Sequence, residues 1–219
     1  MPEQSRKLYY MAPLKQAPLI CVAGVLSYNN IHKKSRLKDY ISSIADPFVN
    51  GRRERLMVGT RPLHDFVPLY WSVHTPMQYV VTIKRRCLPE NELIFFEFRS
   101  DEILSIDGVL STDGNVASWD TETFDGDGAL DNIDWDIVDN PKCISPEWKR
   151  KKQAEVLVPE RIPAEYIHRV VTQTIATSDR LEQAVQELTE QVPKDQADFL
   201  ASHPPPIEVD QRLYYNKPM

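Results

Sequence analysis

KRKKQAEVLV, residues 149–158, runs from four consecutive cations through Gln153-Ala154 to Glu155 and an apolar run. Cations gather in the last turn of a helix, where they meet the negative end of its dipole. Val156-Leu157-Val158 has the β-branched character of a strand. The stretch therefore predicts a basic helix that turns almost at once into a strand, with a carboxylate at the strand's mouth. Taken alone, it reads as a solvated helix end with Glu155 a surface acid; the chain around it changes that reading.

Outward from this junction, helices and strands follow one another without a regular βαβ alternation. KLYYM (7–11) predicts a short strand, and PLKQAPLICVAGVLS a helix with Pro13 in its first turn, Pro18 as a kink or shortening, and Gly24 as its stop. A second helix is expected over Ser35–Ala45 and a basic loop over Asn50–Pro62. HDFVPLYWSV (64–73) predicts an aromatic strand, and Thr75-Pro76 opens a helix through Met77, Tyr79 and Val80. ELIFFEF (92–98) predicts a strand with a short helix after it, and 108–112 another strand ending in the turn TDGN. Residues 120–139 hold eight acids and no Lys or Arg, and are expected to be a flexible acidic stretch. RVVTQTIA (169–176) predicts a strand, SDRLEQAVQELTEQV a helix capped by Ser178, and IEVD (207–210) a last strand. The pattern implies an α+β fold, with a single mixed, partly antiparallel sheet as core and flanking helices. Isolated strands on both sides of residue 140 make 1–219 one domain.

The 219 residues are 42% apolar, enough for a globular core. No run of 18 apolar residues occurs, so no membrane partner is expected. Three dispersed cysteines, with no C-x-x-C, and an N-terminus without the apolar core of a signal peptide predict a reduced, cytoplasmic protein. The net charge of −6 is unevenly spread. Up to Arg86 there are 14 Lys/Arg against 5 Asp/Glu; beyond it, 12 against 27. HKKSRLK (32–38), RRER (52–55), KRR (84–86) and KRKK (149–152) could form a local phosphate-binding face, or could be solvated helix surfaces. No P-loop, dinucleotide fingerprint, zinc-protease helix or nucleophile elbow is present, and no metal-ligand spacing, so no metal is expected. An enzyme built on this chain would work by positioning and electrostatics around a carboxylate.

Six segments in order carry a resemblance. KLYYMAPLKQAPLICVAGVLS, NGRRER, LHDFVPLYWSVHTPMQYVV, STDGNVAS with the acidic stretch ending in IDW, KRKKQAEVLV and IEVDQRLYY together resemble the DarT-type DNA ADP-ribosyltransferases, the toxins of DarT–DarG toxin–antitoxin pairs. The likeness spans most of residues 7–215. It implies an ADP-ribosyltransferase-like fold, NAD as substrate, and single-stranded DNA as acceptor, with thymidine the favoured base. The alternatives are guanine, RNA or protein as acceptor, or a degenerate relative that only binds a single strand or a partner. A macrodomain antitoxin of the DarG kind is implied as partner.

Residue by residue, the resemblance makes Glu155 the catalytic acid. Arg53 becomes the arginine that neutralises the NAD pyrophosphate and shares in catalysis. Tyr70, Met77 and Tyr79 would wall the nicotinamide pocket. Tyr10 and Ala12 fall where the family holds NAD through its first strand. That strand usually reads Tyr-His-Ile-Thr; here it reads Tyr9-Tyr10-Met11-Ala12, so a tyrosine stands in the histidine's place. Lys151, Arg85, His74 and Asn115 are the candidate nucleic-acid contacts. The chemistry has a physical rationale: breaking the nicotinamide–ribose bond develops oxocarbenium character, and a fixed carboxylate on the ribose 2′-hydroxyl strengthens its hold as that charge grows.

Overall fold

Alternation along KLYYMAP builds the central strand, β1 (Lys7–Pro13), with Leu8, Tyr10 and Ala12 on one face and Tyr9 and Met11 on the other. The computed structural model describes residues 5–33, 51, 53–141, 145–191 and 204–215. Seven further strands complete the sheet: β2 (Phe66–Tyr70), β3 (Leu93–Arg99), β4 (Leu110–Thr112), β5 (Thr123–Asp125), β6 (Glu155–Pro159), β7 (Arg169–Thr172) and β8 (Ile207–Val209). Their order is β8–β7–β3–β1–β2–β6–β4–β5. All neighbours are antiparallel except the β7–β8 pair. Among the described residues the helices include α1 (Ala17–Ala23), α2 (Tyr28–Lys33), α3 (Pro76–Gln78), α4 (Ser100–Leu104), α5 (Trp135–Asp139), α6 (Pro146–Lys151) and α7 (Ile175–Gln191). The architecture is the expected α+β with one mixed sheet, more antiparallel than the sequence pattern implied.

The two faces of the sheet are covered differently. On one, Leu8, Ala12, Val67, Leu69, Phe96, Val156 and Val170 meet Ala17, Ile20 and Cys21 of α1 and Leu181 and Val185 of α7. On the other, Met11, Tyr70, Leu93, Phe95 and Val171 lie under Leu213 and Tyr214 of the C-terminal tail. Phe66 and Leu157 pack on the same side with Val58 and Leu63. The sheet is weakest in the middle. β1 and β2 share the single pair Tyr9↔Tyr70, whereas β1 and β3 share seven. Pro68, in the centre of β2, has no amide hydrogen to give to a neighbour.

Several elements differ from expectation for identifiable reasons. Pro13 ends β1 rather than opening a helix, and Pro18 takes the first turn of a helix that begins only at Ala17. Gly24 does stop it, at φ +82°, and a Cβ there would lie 2.1 Å from the Ile162 carbonyl oxygen. The aromatic strand is shorter than expected because Leu63–Asp65 forms a 3₁₀ turn. Thr75 caps α3 by accepting from the Gln78 amide at 3.2 Å, and the helix widens to a π-turn over Tyr79–Lys84. The long C-terminal helix starts at Ile175, and Thr174, not Ser178, caps it by accepting from Thr177 N at 3.2 Å. The acidic stretch is ordered structure: it forms β5 and α5 and buries Ala129, Ile133, Ile137 and Val138, a spacing close to one helical face. The helix expected over Ser35–Ala45 lies outside the described residues.

Candidate active site

Glu155 is the first residue of β6, and its strand partner Tyr70 projects from the same face. Burial of Val156, Leu157 and Val158 on both sides of the sheet fixes this strand's position. Glu155 itself has no exposed surface. Its carboxylate accepts from both terminal nitrogens of Arg53, Nη1 to Oε1 at 3.4 Å and Nη2 to Oε2 at 3.1 Å. It also accepts from the backbone N–H of Val116 at 3.3 Å. The main chain is fastened separately: Glu155 N–H donates to Thr112 Oγ1 at 2.9 Å, and that hydroxyl donates to Gly114 O at 2.7 Å. The acid is therefore held by three different parts of the chain, which leaves it little freedom to reorient.

Burial alone would lower the Arg53 guanidinium, but the Glu155 charge, Tyr70 and the shared hydrogen bonds outweigh it and leave it raised. Burial likewise pushes the Tyr70 phenol well up, Glu155 pushes it further, Arg53 pulls it back, and Tyr10 adds to the rise. Tyr70 thus stands within electrostatic reach of the acid, the arginine and Tyr10. Burial raises the Tyr10 phenol to about 12. Tyr10 lies on the helix-covered face, 6.4 Å from Phe96 ring to ring. It lines a mostly apolar cavity of about 40 Å³ with Gln16, Leu19, Ile20, Gly24 and Leu26. Ala12 is buried on the same face.

The other expected residues divide into those near the tail and those tied into the basic junction. Met77 packs half-buried against the cluster of Tyr70, Phe95 and Tyr214. Tyr79 is exposed and meets Tyr215 edge-on at 5.7 Å; His74 lies 5.1 Å from the same ring. Burial lowers the His74 imidazole, a hydrogen bond with the Tyr214 backbone works against this, and Lys152 adds to the lowering. Arg85 is exposed just past the π-turn. Asn115 shapes its own loop, accepting from Ala117 N at 2.9 Å. Lys151 is engaged by Asp134 at 3.1 Å and Glu147 at 3.3 Å.

Sequence reasoning missed three contributors. Thr112, the last residue of β4, and the Val116 amide in the turn after it hold Glu155 from a stretch that the sequence marks only as a strand end and a turn. Lys152, expected as part of a basic surface, is 1% exposed and donates to Ser72 Oγ at 3.0 Å and to Val138 O at 2.8 Å.

A curated DNA ADP-ribosyl transferase–DNA ADP-ribosyl glycohydrolase fusion protein of Thermosipho africanus (strain H17ap60334) is 29% identical over 185 residues, which cover 82% of this chain and 46% of the relative. The chain thus spans about half the length of that relative. The structure of Thermus sp. 2.9 DarT in complex with ADP-ribosylated ssDNA matches with a TM-score of 0.77 at 19% identity, covering 97% of this chain and 98% of the other. Thermosipho africanus DarTG in complex with ADP-ribose matches at 0.78 and 23% identity, over 96% of this chain and 51% of that one. Thermus sp. 2.9 DarT in complex with NAD+ matches at 0.75 and 18% identity, over 98% and 100%. These likenesses establish the shared fold. The family model described as "ssDNA thymidine ADP-ribosyltransferase, DarT" matches from Tyr9 to Tyr215, nearly the whole chain, and by that match the chain belongs to the DarT family.

Proposed function

We propose that this chain, acting as one domain, transfers ADP-ribose from NAD to thymidine in single-stranded DNA. The observation that carries the proposal is Glu155, fully buried at the mouth of β6 and fixed by Arg53, the Val116 amide and Thr112. A carboxylate so placed binds the 2′-hydroxyl of the nicotinamide ribose and stabilises the oxocarbenium-like transition state as nicotinamide leaves. The attacking atom belongs to the base, which must be unpaired to reach the site; a single strand supplies it that way. Arg53 holds the carboxylate in the free protein, and its planar fork is suited to the NAD pyrophosphate once the dinucleotide arrives. Tyr70 and Met77 wall the nicotinamide side, with Tyr79 and His74 further out toward the tail; Tyr10 lies on the opposite, helix-covered face of β1. Asn115, Arg85 and Lys151 border the path of the strand.

The adduct is bulky and charged, and it would block a template. A chain that makes it is a toxin to its own cell, so its partner is an antitoxin with a macrodomain that removes the adduct. The pairing of transferase and glycohydrolase in the Thermosipho africanus fusion protein supports this reading. Among the described residues, no helix is long and apolar enough to cross a membrane.

The test is mass spectrometry of thymidine-containing oligonucleotides incubated with NAD and the purified protein. The wild type adds one ADP-ribose per modified base. Glu155→Gln slows the transfer by at least about 100-fold, the scale of losing one preorganised electrostatic contact. Equal rates for the two proteins would remove Glu155 from the mechanism.

A further inference from the structure

α3 is three residues long, too short to hold itself, and it opens into the π-turn over Tyr79–Lys84, a form that recurs at functional sites. It nevertheless carries Met77, which packs in one cluster with Tyr70, the strand partner of Glu155. What fixes it comes from the far end of the chain. Gln78, 1% exposed, donates from Nε2 to Leu213 O at 3.0 Å. Tyr215 Oη donates at 3.4 Å to the carbonyl of Thr75, the residue that caps α3. The Tyr215 ring lies 5.1 Å from His74 and meets Tyr79 edge-on at 5.7 Å, spacings at which aromatic rings attract. One side chain thus brackets α3: it touches the cap, the residue before the cap and the first residue of the π-turn.

The tail is itself anchored in the body of the sheet. Tyr214 Oη donates toward Leu93 O and Val171 O at 2.9 and 3.0 Å, and Tyr215 N–H donates to Glu90 Oε1 at 2.7 Å. The other oxygen of that buried carboxylate accepts from Gln173 Nε2 at 3.5 Å. Leu213 and Tyr214 cover Met11, Phe95 and Val171. Tyr215, half-buried, lies beyond that cluster and applies its ring to the α3 segment instead. We propose that Tyr215 is a positioning residue for NAD: it holds α3 so that Met77 stays against Tyr70, the pair that walls the nicotinamide, and so sets how firmly the dinucleotide is bound. This deepens the proposed transferase reading and rests on it. Glu155 is fastened by other parts of the chain, Arg53, Val116 and Thr112, so α3 can shift without moving the acid. Loss of the Tyr215 ring loosens one wall of the pocket and leaves the catalytic carboxylate in place.

The experiment compares the full chain as wild type, Tyr215→Ala, Tyr215→Phe and Tyr214→Phe. Nicotinamide release and mass spectrometry of a thymidine oligonucleotide are followed with NAD and DNA varied in turn. Tyr215→Ala is expected to raise KM for NAD about ten-fold, while kcat and KM for the oligonucleotide stay within about two-fold of wild type. Tyr215→Phe keeps the ring against His74 and Tyr79 and recovers most of the wild-type KM. Tyr214→Phe loses its hydrogen bonds to Leu93 O and Val171 O, so its urea midpoint falls while its KM for NAD stays that of wild type. Should Tyr215→Ala not fold, Tyr215→Leu keeps more of the apolar bulk and takes its place with the same expected KM. A tail that only stabilises the fold gives a different pattern: partial unfolding lowers the active fraction, and so kcat, with both KM values unchanged. That pattern overturns the proposal. So does a rise confined to KM for the oligonucleotide, which assigns the ring to the DNA strand, or a rise in KM for NAD that Tyr214→Phe shares in proportion to its lost stability. A wild type that releases no nicotinamide removes the transferase reading itself, and is distinguished from the other outcomes because it appears before any substitution is made.

Discussion

The ammonium of Lys152 donates to Ser72 Oγ at 3.0 Å, to Val138 O at 2.8 Å, to Ile137 O at 3.4 Å and, more closely, to Asn140 O. Those carbonyls belong to the C-terminal end of α5, which would otherwise lack partners. One buried side chain thus ties α5 and the segment after β2 to the residue three before Glu155. Lys152→Met keeps the length but removes the donors, leaving buried carbonyls unsatisfied at about 1–3 kcal/mol each. We expect the urea midpoint of unfolding to fall clearly below that of wild type; a midpoint unchanged by the substitution would contradict the role. The same residue shows where a charge pattern stops being legible. The four cations at 149–152 read as one basic surface, but Arg150 pairs with Asp113 and Asp120, Lys151 with Asp134 and Glu147, and Lys152 turns inward. Apart from Glu147, one turn back on the same helix, their partners lie 12 to 80 residues away, so local spacing could not separate them. Glu155 was singled out by the resemblance of the surrounding segments; the stretch alone reads as a solvated helix end with a surface acid, whereas the side chain is fully buried. The Val116 amide was not legible, because any residue type can offer a backbone N–H.

At the scale of elements, the turn between α1 and the short ladder Val25–Leu26 against Arg161–Ile162 depends on one glycine. Gly24 has φ +82° and ψ −173°, a region that is essentially glycine's alone. An added Cβ would meet not a movable side chain but backbone, at Ile162 O, Ala164 N and Pro163 C. Gly24→Ala therefore combines about 1–3 kcal/mol of backbone strain with a steric clash that shifts α1 or the ladder. At about 2–4 °C per kcal/mol for a chain of this size, the midpoint of thermal unfolding drops by at least about 2 °C. A melt within 1 °C of wild type, on the order of experimental error, would show that the junction relaxes freely. Gly24 as the helix stop was legible from glycine's freedom alone. The start of α1 was not: two prolines compete for the first turn, and the pairing of β1 with β3 through Pro13 decides between them. The acidic stretch was misjudged because eight acids obscure the apolar spacing of Ile133, Ile137 and Val138, which only a core to pack against makes meaningful.

Across the whole molecule, strand order was beyond the sequence. β8 joins β7 in parallel, and the tail after it crosses the sheet so that Tyr214 Oη donates toward the carbonyls of Leu93 and Val171, at 2.9 and 3.0 Å. That closure adds Tyr214 to Tyr9, Tyr10 and Tyr70 as phenols raised chiefly by burial, and the same burial lifts the Cys21 thiol to about 12. Each group is an acid whose neutral form the fold prefers. Its contribution to stability is fully present below the unfolded value, near 10 for tyrosine and 9 for the thiol. That contribution is lost as pH rises toward the folded one. Per group the loss reaches about 1.4 kcal/mol per pH unit, so four phenols titrating together remove on the order of 5 kcal/mol per unit, comparable with the whole stability of a typical domain. Stability should therefore hold to about pH 9 and collapse cooperatively between about pH 10 and 12. Absorbance at 295 nm would then show part of the nine tyrosines ionising gradually near pH 10 and the remainder only in step with the loss of far-UV circular dichroism. A smooth titration of all nine with the secondary structure intact would mean that water reaches these rings in the folded protein, and that the tail does not close the second face of the sheet.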